Sequence, residues 1–294
     1  MCVHRGGRKR QSSRKIQSVP EFSDKALRFR LLAALGVATL ISVVPAHAQT
    51  SAAPSYPDLV ELSKRAGMVI KARVQTVSRL DPAQVRNPTA LHDRFYAEAQ
   101  TEALIYGRQG IGASLRYLVD LPPDRPELSG RDVLLFAWRV PDKTGDIKLV
   151  DPTAQVLWSP VQEARVRSIL TELVVPGAPS PVTRVRELMF VPGNLAGQGQ
   201  TQIFFDTKGG GSAAITVRHQ PGSVPSWGVS FSQVAAGTKA PPPQDSLAWY
   251  SLACFLPAYP PAAANVSRSS AKQEQALNDY RMVVSSLGTC NRTR

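Results

Sequence analysis

His219 and Asp206 are the residues whose types best suit proton transfer in the chain beyond its leader. With a serine, a histidine and an aspartate form a nucleophilic set that is recognised by geometry and not by order along the chain. The pair therefore names one alternative, a hydrolase acting on envelope material, with an unidentified serine as its third member. Other chemistry finds less footing. Past residue 48 the histidines are His92 and His219 alone, and no H-E-x-x-H, C-x-x-C or EF-hand loop accompanies them. A metal site needs three or four converging ligands, so neither metal nor cofactor is expected. Glu98 and Glu102 share a strand face, yet four residues at ~3.3 Å each set their Cα atoms about 13 Å apart. Glycoside hydrolysis needs carboxyls within roughly 5–9.5 Å.

Short motifs also fall away on inspection. Ser269-Ser270-Ala271-Lys272 fits S-x-x-K and Lys143-Thr144-Gly145 fits K-T-G, two marks of penicillin-binding serine enzymes. Their order is reversed and S-D-N is missing. Ser270 with Gln273 is instead a capping box ahead of a helix. Gly110-Ile111-Gly112 and Gly209-Gly210-Gly211 match no phosphate loop. Trp138, Trp158, Trp227 and Trp249 each lie in apolar segments and are expected in the core.

The compartment comes from the stretch Arg28–Ala48. Lys25, Arg28 and Arg30 precede an apolar run of 14 residues, Leu31–Val44, then Pro45 and Ala46-His47-Ala48. A basic region, a short apolar region and a small-residue site form a secretory signal. The run is shorter than the ~20 helical residues needed to cross a bilayer. A periplasmic or secreted protein is expected, with an uncleaved inner-membrane anchor, and an assembly factor hung from it, as the alternative. Of 35 Lys/Arg and 22 Asp/Glu, nine and two lie in residues 1–48, so the remainder carries 26 against 20, a net of +6. No basic run remains to bind nucleic acid. Cys254 and Cys290 are the cysteines outside the leader. An even pair in an exported chain reads as a disulfide.

The positioning elements follow from periodicity. Residues 49–57 are a spacer and Asp58–Ala66 a short helix. Met68–Thr76 alternates with period two, as do Phe95–Tyr106 and Leu115–Leu121. Leu115, Tyr117, Val119 and Leu121 form the apolar face of the last. Val133–Val140 is apolar enough for a central strand, Ile147–Val150 pairs with it, and Val161–Val175 returns to helical spacing. The runs RAGMVIKARVQTV, AEAQTEALIYG, SLRYLVDLP and GRDVLLFAWRV resemble the strand order of netrin/TIMP-like modules. That resemblance implies an OB-type barrel over residues 58–175. Inhibition of metalloproteases is not implied, because the cysteines of those inhibitors have no counterpart here.

Residues 176–183 then read as a linker. Residues 184–294 read as a small sheet, with a hairpin over Gln202–Val217, covered by helices at Asp245–Leu256 and after Ser270. The expected fold is mainly β (α+β), an OB-like antiparallel barrel followed by a sheet with two helices clasped by Cys254–Cys290. The expected role is a non-catalytic binding module for a peptide, glycan or protein partner of the envelope.

Overall fold

The architecture is that of a computed structural model describing residues 53–294, apart from 82, 84, 86–91, 109, 123–126 and 233–239. The leader, its signal and part of the spacer lie outside the described residues. What is described belongs to one compact unit, Thr50–Arg294. The fold is mainly β, with two antiparallel sheets and four α-helices among the described residues.

The first helix, α1 (Tyr56–Arg65), begins two residues before its apolar spacing does. Ser55 and Asp58 form a capping box that draws Tyr56 and Pro57 out of the spacer and buries them. Six strands follow, β1 (Met68–Arg79), β2 (Asp93–Tyr106), β3 (Ser114–Leu121), β4 (Asp132–Arg139), β5 (Ile147–Leu149) and β6 (Gln155–Leu157), in the order β3-β2-β1-β4-β5 with β6 also on β4. In β2 the alternation wins over the helix-favouring Ala and Glu residues. Phe95, Ala97 and Ala99 turn inward while Glu98 and Gln100 face solvent. Three register shifts bend β1 against β2, and bulges of this kind increase twist and curl a sheet.

The curl carries β3 back towards β5. Arg116 of β3 makes one isolated parallel bridge with Asp146, the residue before β5, and among the described residues the strands do not close into a barrel. The single bridge leaves an open seam.

Helix α2 (Pro160–Val174) starts at Ser159, whose side chain accepts from the Gln162 N–H. The second sheet is a meander of β7 (Val182–Pro192), β8 (Gly199–Thr207), β9 (Ser212–His219) and β10 (Ser226–Ser230), ordered β10-β9-β8-β7. Its hairpin turns at Gly209 and Gly210, both at positive φ, which glycine alone tolerates cheaply. Helices α3 (Leu247–Ala253) and α4 (Ser270–Leu287) complete the chain. Helix α4 lies against β7 and β8, with Ala276, Tyr280 and Val283 buried in the same core as Leu188 and Ile203.

The cap of α4 stands one residue earlier than its sequence signal. Ser269, not Ser270, accepts from the Lys272 N–H, and the Gln273 amide donates to the Ser267 carbonyl in place of closing a capping box. The S-x-x-K serines are thus helix-terminal. Cys254 and Cys290 form a disulfide that joins the end of α3 to the residues just past α4. Closing a loop of this length stabilises by about 3–4 kcal/mol in the chain-entropy model. Beyond the disulfide the chain turns back onto the first half. The Thr293 N–H and hydroxyl both donate to Asp58, and Arg292 pairs with Glu61.

Cross-strand charge pairs mark the register in both sheets. Arg73 stands opposite Asp132, Arg94 opposite Asp120 and Arg184 opposite Asp206, each within salt-bridge distance. Such pairs contribute little energy when exposed, but like charges placed opposite one another by a slipped register would be unfavourable.

Candidate functional site

His219 and Asp206 do not meet. They lie at opposite ends of the β8–β9 hairpin, since Asp206 pairs in register with Ser212 and His219 with Gly199. Seven residues at ~3.3 Å each separate their positions by about 23 Å. Asp206 accepts from Arg184 and sits 3.5 Å from Arg186. It is a register mark.

His219 has a different carboxylate. Its Nε2 lies 2.9 and 3.0 Å from the two oxygens of Asp279 on α4. With Asp279 as a carboxylate, Nε2 carries the proton. Asp279 is nearly inaccessible and also accepts from the Thr201 hydroxyl and from the Gln275 amide at 3.0 Å. The Phe190 ring packs edge-on against the imidazole, its centroid 5.9 Å away. Among the described residues no serine hydroxyl bonds to His219. The bonds from Thr201 and His219 to Asp279 cross between sheet and helix, and they fasten α4 to β8 and β9. A polar cleft of about 310 Å³ lies beside it, lined by Asn194, Gln198, Gln200 and Arg218, but among the described residues no nucleophile is set against the imidazole there. Among the described residues no three His, Cys, Asp or Glu side chains converge as metal ligands.

The larger concavity is the open seam of the first sheet, a cleft of about 670 Å³ between β2–β3 and β5. Ligand sites commonly run from ~300 to 1,000 Å³. Its floor and walls carry Leu118, Val140, Ile147, Leu149 and Val150, with Tyr96 and Tyr117. The Tyr117 hydroxyl donates to Gln155 at 2.6 Å, and burial pushes its phenol up, so it stays protonated and serves no base role.

Four cations border the same cleft. Arg94 is bound to Asp120 and Arg116 to Asp146, whereas Lys143 and Lys148 make no ion pair among the described residues. Asp151, also at the rim, is paired with Arg65 and Arg294. The unpaired charge of the cleft is therefore positive.

The turn that places Lys143 is the K-T-G segment, which serves the seam and not a serine enzyme. Asp142 and Gly145 take positive φ there, the Gly145 carbonyl accepts from the Arg116 N–H at 2.8 Å, and the Thr144 carbonyl accepts from the Arg116 guanidinium at 3.2 Å. A Cβ on Gly145 would fall 2.7 Å from the Ser114 carbonyl oxygen. Glu98 and Glu102 are apart as expected, Glu98 near Thr76 and Glu102 bound to Lys71 and Arg73.

Sequence reasoning passed over the seam because its residues come from distant segments. One signal was readable. Leu118 stands on the polar face of β3, in step with Ser114 and Arg116, and in the structure 48% of it is exposed. Trp138 likewise departs from its expected place in the core. It is 54% exposed and lies flat over Gly67, where a Cβ would fall 2.3 Å from the ring.

Against protein-family models and curated proteins, the chain finds no match.

Proposed function

We propose that this protein is an exported, non-catalytic binding module whose ligand occupies the seam between β3 and β5. The observation that carries the reading is the cleft itself, which pairs an apolar floor with two lysines that lack ion partners among the described residues. Surface lysines are ordinarily solvated, but two of them beside exposed Leu118 and half-buried Val140 and Val150 leave a site that water fills poorly and an anion fills well. The strand order β3-β2-β1-β4-β5 with its parallel contact between Arg116 and Asp146 supports a partly open OB-like barrel as the scaffold. The Cys254–Cys290 disulfide supports work in an oxidising compartment. That the one well-partnered histidine is enclosed by Asp279, Thr201 and Phe190 favours binding over hydrolysis.

Isotope-labelled protein titrated with a soluble extract of the native envelope tests this. Amide shifts should centre on Leu118, Gly145 and Lys148. Shifts centred on Asn194, Gln200 and His219, or spread without a centre, would overturn the assignment.

A further inference from the structure

Resting on that reading of the seam, we infer that its occupant is an extended acidic peptide segment that pairs through its backbone with β3. The inference comes from where the strand edges point. In the β2–β3 ladder the Thr101 N–H donates to the Ala113 carbonyl, one step beyond the Gln100–Ser114 pair. Backbone groups of odd-numbered β3 residues therefore face β2, and those of even-numbered ones face the seam. Two bonds agree, both of 2.8 Å, Arg116 N–H to Gly145 and Asp120 N–H to Pro152. Leu118 lies midway between these two pins and turns its own N–H and C=O into the cleft. Among the described residues, the bridge at Arg116 and Asp146 is isolated, so pairing with β5 stops before Leu118.

The facing edge is oriented the same way. The Val140 N–H donates to Asp146 and the Val150 N–H to Phe136, so even-numbered residues of β5 bond to β4 and Leu149 points its backbone across the seam. A gap bordered by strand edges is what β-augmentation fills, with main-chain bonds giving affinity and alternate side chains giving choice. The stretch between the pins spans four residues, about 13 Å at ~3.3 Å each, which suits a short extended segment.

Charge selects the class. Lys143 and Lys148 favour acidic side chains, while exposed Leu118, with half-buried Val140 and Val150, favours apolar residues between them. A fatty acid would satisfy the lysines and the apolar floor but would leave the Leu118 N–H and C=O without partners. A neutral glycan would leave both lysines without an anion.

The test uses the full disulfide-bonded chain and three probes. One is a mixture of blocked tetrapeptides with glutamate at alternate positions and Val, Ile, Leu, Phe or Tyr between. The second carries lysine in place of glutamate, and the third is sodium palmitate. The acidic mixture should slow hydrogen exchange at the Leu118 amide at least tenfold, and the lysine mixture should not. Lys143→Gln with Lys148→Gln should weaken the acidic mixture at least fivefold and flatten its salt dependence.

Unchanged Leu118 exchange with the acidic mixture, or palmitate binding at the cleft where the peptides do not, would overturn the peptide. If envelope-extract shifts still centre on Leu118 in that case, the occupant alone is wrong and the site stands. If they do not, both fall.

Discussion

The two sheets manage their polar groups in opposite ways. In the four-stranded sheet the charged groups that approach the core are saturated within the molecule: Asp279 accepts from His219, Thr201 and Gln275 under the cover of α4. In the six-stranded sheet curvature opens a seam, and Lys143 and Lys148 stand beside it without acidic partners among the described residues. A histidine against a carboxylate looks like chemistry in a sequence, yet here it is a fastening. A lysine in a turn looks like solvated surface, yet here it borders a cleft of about 670 Å³. The difference teaches that a group's partners, and not its type, separate structure from function.

The contrast is broken most forcefully at Asp279. Asp279→Ala leaves the buried Thr201 hydroxyl and the His219 ring without their acceptor, and removing one side of a buried polar cluster costs roughly 3 kcal/mol. Urea unfolding should show that loss, and a change below ~1 kcal/mol would mean that the cluster is as dispensable as an exposed pair.

Next in size is Gly145→Ala. Its φ of +85° and the 2.7 Å approach to Ser114 should cost about 1–2 kcal/mol. Faster amide exchange at Arg116, with the second sheet unchanged, should locate the damage at the seam. Faster exchange in both sheets alike would show that the two edges are not independent.

Smaller and pH-dependent is the contribution of Asp58, where the C-terminal tail meets α1. Burial pushes its carboxyl up, but hydrogen bonds from Thr293 and Ser55 outweigh that and hold it below the ordinary value. A carboxyl with a lowered folded pKa stabilises above its unfolded value, about 3.9, and that stability is lost as pH falls through the folded value. The advantage of the native protein over Asp58→Asn should thus be constant from pH 7 to 5 and shrink below pH 4. An advantage that grows on acidification would reverse the sign. The smallest stability effect belongs to Lys143→Gln with Lys148→Gln, within about 0.5 kcal/mol for exposed groups. A larger loss would make the lysines part of the scaffold.

Much of the fold was legible because local spacing and burial agree. Period-two alternation set the strands β1, β2 and β3, and helical spacing set α1, α2 and α4, with shifts of a residue or two where Ser55 and Ser269 cap earlier than the apolar pattern begins. The disulfide was legible from cysteine number and the expected compartment. The candidate site was not, since Arg94, Leu118, Lys143 and Lys148 lie in four separate segments and share no motif. Asp279 was equally silent, one acid in a helix of polar residues.

The chain by itself determined its elements, its cysteine pair and its mainly β character, because these depend on residue periodicity and on short-range steric and hydrogen-bonding rules. Only the tertiary structure decided that His219 belongs to Asp279 and not to Asp206. It alone decided that the bulges of β1 bring β3 beside β5 without joining them. Those outcomes depend on register and curvature summed over many residues, so no single stretch of sequence records them.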